Sequence, residues 1–332
     1  MRPVEAGFFP LDERWGLSAS QYSETLSKQM VWLSGLLPYG QVVQVLERVG
    51  HRQIPQGNLW RETQTQGERL RVEAERQRAT VAPERMAWAD ARADHDTPKG
   101  VSMDGGMMNI RGEGWKEFKA GVVYDVGQRP GQDPQTGETV DLPCAEQSRY
   151  TAVLGDVEQF APALWAIAVA HDLPRAARSS VAADGAEWPW GVAADLFPDS
   201  TQIVDWYHAT QHLAQAAHAL YPQDETRALA WYRHTQTLLF RGEIWKITRP
   251  LQQAGLADPA RYFEHHQRRM QYQEFREAGF LIGSGPVESE IKQYKARLTG
   301  PGMRWARRNA ERMLVIRSAV LSHQFDALWG AA

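Results

Sequence analysis

The chain has 332 residues, a formal net charge of −3, 23% charged residues and one cysteine, Cys144. That length buries a sizeable core and predicts two or three domains. One cysteine excludes an internal disulfide and any Cys-rich zinc ribbon. No apolar run reaches the roughly 18–20 residues that span a bilayer, and the N-terminal ten residues lack a signal-peptide core. The expectation is a cytoplasmic protein with no membrane partner.

Residues 1–98 read as helical. Ser18, Ser20 and Ser23 offer N-caps for an apolar-periodic stretch through Leu37. Val42, Val43, Val45, Leu46 and Val49 recur at helical spacing. A break at 50–57 precedes a second short helix over 58–70, which carries Arg61, Thr63, Gln64 and Gln66. Helix, short turn and polar helix over about 39–70 match a helix-turn-helix, with Arg61 as a DNA contact, and match an ordinary helical hairpin equally well. Residues 67–86, rich in Arg, Glu and Gln, predict a connecting helix with a solvated face.

The pattern changes near Lys99. Residues 101–110 and 115–126 are strand candidates around a Gly-rich turn, 128–142 a polar loop, and 149–154 a third strand. Asp156 reads as the N-cap of a helix over 157–171. A fourth strand covers 179–183, a short helix 188–196, and a fifth strand 201–206. Residues 209–281 contain only amphipathic helical patterns and read as an insertion. Residues 303–328 predict one long closing helix. Three linked strands, a helix, then strand–helix–strand predict an α/β fold with a ribonuclease-H-like core. That core is assigned to residues 99–208 and 282–332.

Three acids occupy contexts suited to chemistry. Asp104 ends the apolar run Val101-Ser-Met-Asp-Gly-Gly, and Asp184 ends Ser180-Val-Ala-Ala-Asp-Gly-Ala. Glu288 lies in Gly283-Ser-Gly-Pro-Val-Glu-Ser-Glu, just inside a helix start that Ser284 or Gly285 can cap. Two carboxylates at strand ends and one on a later helix can converge to hold hard divalent cations through oxygen. Paired cations of this kind cut and join phosphodiesters. Taken singly, Asp104 and Asp184 also fit turn aspartates before glycine, and Glu288 fits an acid serving the helix dipole. Residues 286–332 hold eight Lys/Arg against four acids, so Lys292, Lys295, Arg297, Arg304, Arg307 and Arg308 are candidate phosphate contacts beside Glu288.

In order along the chain, Asp104-Gly-Gly, Gly114-Trp-Lys-Glu-Phe-Lys-Ala-Gly-Val-Val-Tyr, Asp184-Gly-Ala, Asp205-Trp-Tyr-His-Ala-Thr-Gln-His-Leu, Ile282-Gly-Ser-Gly-Pro-Val-Glu-Ser and Gly302-Met-Arg-Trp together resemble the DDE transposases of bacterial insertion sequences. The match is to the ISKra type, related to the Mutator-like group; Gly7-Phe-Phe-Pro-Leu-Asp-Glu and Leu59-Trp-Arg also fit. The resemblance implies a retroviral-integrase-like (ribonuclease-H-like) core with an all-helical insertion. It carries over Asp104, Asp184 and Glu288 as the catalytic, metal-binding triad. It makes Asp205 and His208 active-site support, because relatives place an acidic or Cys residue and a His at this spacing. It implies Mg²⁺, with Mn²⁺ able to substitute, and double-stranded DNA (transposon ends and target) as substrate. It also implies a homodimer or higher assembly and a nucleoid-associated location. Relatives often carry a Cys-rich segment upstream of where this sequence starts. The competing expectation is therefore a truncated or domesticated DNA-binding protein without transposition activity.

Overall fold

The computed structural model describes residues 22–81, 97–132, 137–283 and 285–332. The motif at 7–13, the serines at 18–20 and the Ser284 cap lie outside these residues. The chain folds into two compact units, one of residues 1–77, 108–116 and 294–332, the other of residues 78–107 and 117–293. The sequence-based partition placed the basic C-terminal stretch with the core; residues 294–332 belong instead with the N-terminal helices.

In the first unit, α1 (Glu24–Leu36) starts at Ser23, whose side chain accepts from the Leu26 N–H. It is followed by α2 (Tyr39–Arg48) and α3 (Gln56–Thr80). Met30, Val42, Leu46, Ile54 and Leu59 form their shared core. α3 is one continuous helix where two segments were expected. Its polar N-terminal half is turned inward. Thr63 donates to the Leu59 carbonyl and lies 3.1 Å from the Ser34 hydroxyl. Gln64 donates to Tyr39 at 3.2 Å, and both Thr63 and Gln64 are buried. A DNA-reading face needs these groups outside. Of the four polar residues expected on it, only Arg61 is fully exposed.

The closing helix is broken into α12 (Arg307–Leu321) and α13 (Phe325–Ala331). His323 takes a left-handed φ of 55° at the break, and Trp305 forms a β-bridge to Ile110 where helix was expected. α12 packs against α1. A Cβ on Gly35 would lie 3.0 Å from both Ile316 and Val320.

The second unit contains a five-stranded mixed sheet in the order β3-β2-β1-β4-β5. The strands are β1 (Lys99–Ile110), β2 (Gly114–Gln132), β3 (Thr139–Val153), β4 (Ser179–Ala183) and β5 (Thr201–Val204). β2 and β3 pair antiparallel through Gln132↔Thr139, so the expected polar loop over 128–142 is largely a continued hairpin arm. β4 runs parallel to both β1 and β5. Side chains alternate across the sheet. Val101, Met103, Val123 and Val181 face α4 (Val157–Ala170) and α5 (Glu187–Leu196), meeting Phe160, Leu164, Trp165 and Val192. Val122, Tyr124 and Val126 instead cluster with Val287 of α11 (Gly285–Leu298). Asp156 caps α4 as expected, accepting from the Gln159 N–H at 3.1 Å.

Between β5 and α11 the described chain is helical: α6 (Trp206–Leu220), α7 (Glu225–Phe240), α8 (Ile244–Gln253), α9 (Ala257–His266) and α10 (Tyr272–Glu277). Leu213, Leu239, Ile247, Leu251 and Phe263 form its core, continuous with Ala183 and Val204 at the ends of β4 and β5. Among the described residues no helix is long and apolar enough to cross a membrane.

Candidate metal centre

Asp104 is neither a turn residue nor a strand terminus. β1 stays extended through Asp104, Gly105 and Gly106. The two glycines leave room for side chains of β2 that cross over them. A Cβ on Gly106 would meet the Phe118 ring at 2.2 Å, and one on Gly105 the Glu117 carboxylate at 2.2 Å. Asp184 follows the last residue of β4 and accepts the Ala186 N–H at 2.9 Å. Gly185 takes a φ of +98° there, a conformation open to glycine. Asp184 is thus both a strand-end and a turn aspartate.

Pairing of β1 with β4 runs through Ser102↔Ala182, and pairing of β4 with β5 through Ala183↔Val204. Asp104 lies on β1 two residues past its last pair with β4, and Asp184 and Asp205 each follow the last residue of their strand. Adjacent strands lie about 4.8 Å apart.

Asp205 stands where β5 becomes α6. Its N–H donates to the Ala183 carbonyl at 2.8 Å. Its carboxylate accepts the His208 N–H at 2.7 Å, making it the N-cap of α6. The fifth strand therefore ends two residues before the expected 206. Asp205 is fully buried. His208 turns back over this cap, with Nδ1 3.7 Å from Asp205 Oδ1. Nδ1 is buried and has no hydrogen-bond partner.

Glu288, on the first turn of α11, reaches the same point. One ligand atom from each of Asp205, His208 and Glu288 lies within 4.8 Å of the others. Among the described residues this is the group spaced to share one ion. Asp104 and Asp184 lie outside it, so the expected three carboxylates do not make one tight group. Glu290, two residues beyond Glu288, is completely buried.

The donors present fit a divalent cation. Two carboxylates supply oxygen, and an orphaned imidazole nitrogen supplies the third atom. Carboxylate oxygens suit Mg²⁺ and Mn²⁺, and an imidazole suits later transition metals.

No family model and no curated protein matches this chain.

Around the carboxylates stand tyrosines that sequence reasoning missed. Burial pushes the Tyr124 hydroxyl up to about 12, and the negative Asp205 adds to the shift. Burial also raises Tyr262 and Tyr272, with Asp205 again contributing. His212 stacks on Tyr262 with ring centroids 3.8 Å apart. Burial lowers the His212 imidazole. His212 was legible as the second histidine four residues after His208. Nothing in the sequence tied Tyr124, Tyr262 or Tyr272 to this point.

The proposed phosphate contacts fare unequally. Arg297 is 2% exposed and donates to the Ser34 carbonyl at 2.6 Å, with its guanidinium over Tyr39 and Trp305. It is a structural residue, a correction to the expected DNA contact. Arg307 pairs with Glu113, donating through Nε at 3.0 Å, and Arg308 pairs with Glu68 at 3.1 Å. Lys292, Lys295 and Arg304 are exposed. Trp190 and Trp305 are buried packing residues.

Proposed function

We propose that this chain is a DDE transposase, cutting and joining DNA by metal-dependent phosphoryl transfer on a ribonuclease-H-like core. The observation that carries this reading is the convergence of Glu288 with Asp205 and His208. Asp104 lies on β1 two residues past its last pair with β4, and Asp184 just past β4. The strand order and the antiparallel β2–β3 pair beside parallel β1, β4 and β5 support the ribonuclease-H-like assignment. So does the helical stretch between β5 and α11.

In this reading Asp205, His208 and Glu288 hold one divalent cation, and Asp104 and Asp184 serve the same reaction. Bound there, the metal would supply charge neutralisation for the phosphodiester and a more acidic water. The chain's own part is to fix the donors. The α6 cap orients Asp205, and burial of Nδ1 keeps His208 aimed at the site. No covalent enzyme intermediate is required, so no nucleophilic side chain is sought.

The test is cleavage of DNA carrying the element's own ends, with Mg²⁺ and Mn²⁺ compared. The proposal expects metal-dependent cutting with Mg²⁺ or Mn²⁺, abolished in Asp184→Asn, Asp205→Asn and Glu288→Gln while DNA binding survives. Cutting that persists in Glu288→Gln would sink the site assignment. Binding without cutting at any metal concentration would favour a repurposed DNA-binding protein.

A further inference from the structure

The first unit holds a cavity of about 470 Å³, and none of its residues belongs to the cation group. Three helices begin at its wall: α2 at Tyr39 and Gly40, α3 at Gln56, and α12 just after Ala306. Neither α2 nor α12 has a side-chain cap. Free first-turn N–H groups and the helix dipole make such ends favourable for an anion.

Arg111, Arg297 and Arg304 line the same cavity, and among the described residues no acid does. Arg297 is 2% exposed. The Ser34 carbonyl and the Tyr39 hydroxyl engage part of its guanidinium, but Nη2 is buried with no hydrogen-bond partner. The charges acting on it are Tyr39 and the like-signed Arg317, with no carboxylate among them. A buried cation without a counter-ion is costly, and an anion in the cavity offsets that cost. Arg111 and Arg304 are exposed and have no side-chain hydrogen bond or ion pair among the described residues. The nearby Arg307 and Arg308 are already matched, by Glu113 and Glu68. Unpaired charge is thus gathered in one recess, whereas a duplex backbone needs it spread along a face.

Arg111 and Arg304 also border a second recess, of about 670 Å³, lined by Gly112, Gly114 and Gly302. A Cβ on any of these three would meet nothing within 4 Å, so this space is walled by bare backbone. The first cavity is walled by the Tyr39, Trp60 and Trp305 rings, and Trp60 is 43% exposed. Two unpaired cations therefore stand between an aromatic space and a polar one. We propose that this unit binds a free nucleoside triphosphate, its base against Trp60 and its phosphates between Arg111 and Arg304, extending into the glycine recess. Arginine forks match phosphate oxygens bidentately, and an indole face suits a base. Bare phosphate would leave the aromatic space unfilled. The proposal does not rest on the transposase reading.

The experiment is titration calorimetry of the whole chain with ATP, GTP, adenosine and pyrophosphate, in chelator so that no cation site contributes. It compares the parent with Arg111→Ala, Arg304→Ala, Trp60→Ala and Trp60→Phe. A triphosphate binds more tightly than either adenosine or pyrophosphate. Each arginine variant weakens it about tenfold, as does Trp60→Ala, while Trp60→Phe retains most of the affinity. All four side chains replaced are exposed, so thermal midpoints stay at the parent value and loss of binding is not loss of fold. Failure of the parent to bind either triphosphate overturns the proposal, as does binding indifferent to all four variants. Pyrophosphate bound as tightly as ATP, with no Trp60 effect, overturns it in favour of a bare anion site. A 5′-phosphorylated duplex, titrated in parallel, separates the remaining source. Arginine variants that weaken the duplex and leave ATP unchanged overturn the proposal in favour of a DNA surface.

Discussion

Gly106 has no Cβ because the Phe118 ring occupies that space, 2.2 Å from where the atom would sit. Gly106→Ala must displace a fully buried ring in a packed core, and overpacking of this kind costs about 1–3 kcal/mol. The urea midpoint should fall accordingly with an unchanged slope. An unshifted midpoint would mean that Phe118 does not cross β1 there. His208 poses a different question at the same scale. Its Nδ1 is buried with no hydrogen-bond partner, which costs stability unless an ion takes the lone pair. His208→Ala should therefore weaken Mn²⁺ binding, read by titration calorimetry on the whole chain, while leaving thermal stability of the metal-free protein nearly unchanged. A large loss of metal-free stability with unaltered Mn²⁺ affinity would assign His208 to packing alone.

Charge is used differently by neighbouring elements. On α11, Arg297 is buried, and burial lowers its guanidinium from the usual value. On α12, Arg312 donates to Glu68 at 2.7 Å, and Arg308 reaches the same carboxylate at the surface. The Arg71 hydrogen bond is the largest cause holding Glu68 well below the usual carboxylate range. Arg297→Ala orphans the Ser34 carbonyl and should cost about 1–3 kcal/mol. Arg308→Ala removes one exposed pair and should cost less than about 1 kcal/mol. Chemical denaturation of the two variants checks the contrast; equal costs would contradict the burial argument. A run of arginines on successive helices thus contains both a structural strut and solvent-facing cations, a distinction made by which helix packs on which.

Across the whole molecule, pH acts through buried neutral imidazoles. Burial lowers His171 and His212, and lowers His266 to about 4. An imidazole whose folded pKa lies below its unfolded value binds more protons when unfolded, so stability rises with pH through that interval. For His266 the interval runs from the ordinary 6.5 down to about 4. Stability should fall as pH drops through that window, and His266→Gln should flatten part of the slope. Thermal unfolding between pH 7 and 4 measures this; identical slopes in parent and variant would exclude His266 as a contributor. His266 is 3% exposed, near Trp190 and Tyr262.

The sequence by itself determined the elements whose signals are local. The β4 strand over 179–183, the Asp156 cap, the helical character of 209–281 and the helix bearing Glu288 all follow from periodicity and capping chemistry, which act over a few residues. So does the strand-end position of Asp184. What tertiary structure decided depends on which distant residue lies opposite. Thr63 and Gln64 looked solvent-facing until Ser34 and Tyr39 were found to satisfy them. Asp104-Gly-Gly looked like a strand end or a turn until Phe118 was found to cross a continuing strand. Asp205 and His208 moved from supporting positions to the centre of the ion-sized group because α11 returns beside α6 after the whole helical stretch. No local rule reports that return. It is fixed by burial of the helical core against the ends of β4 and β5, a long-range effect that sequence periodicity does not encode.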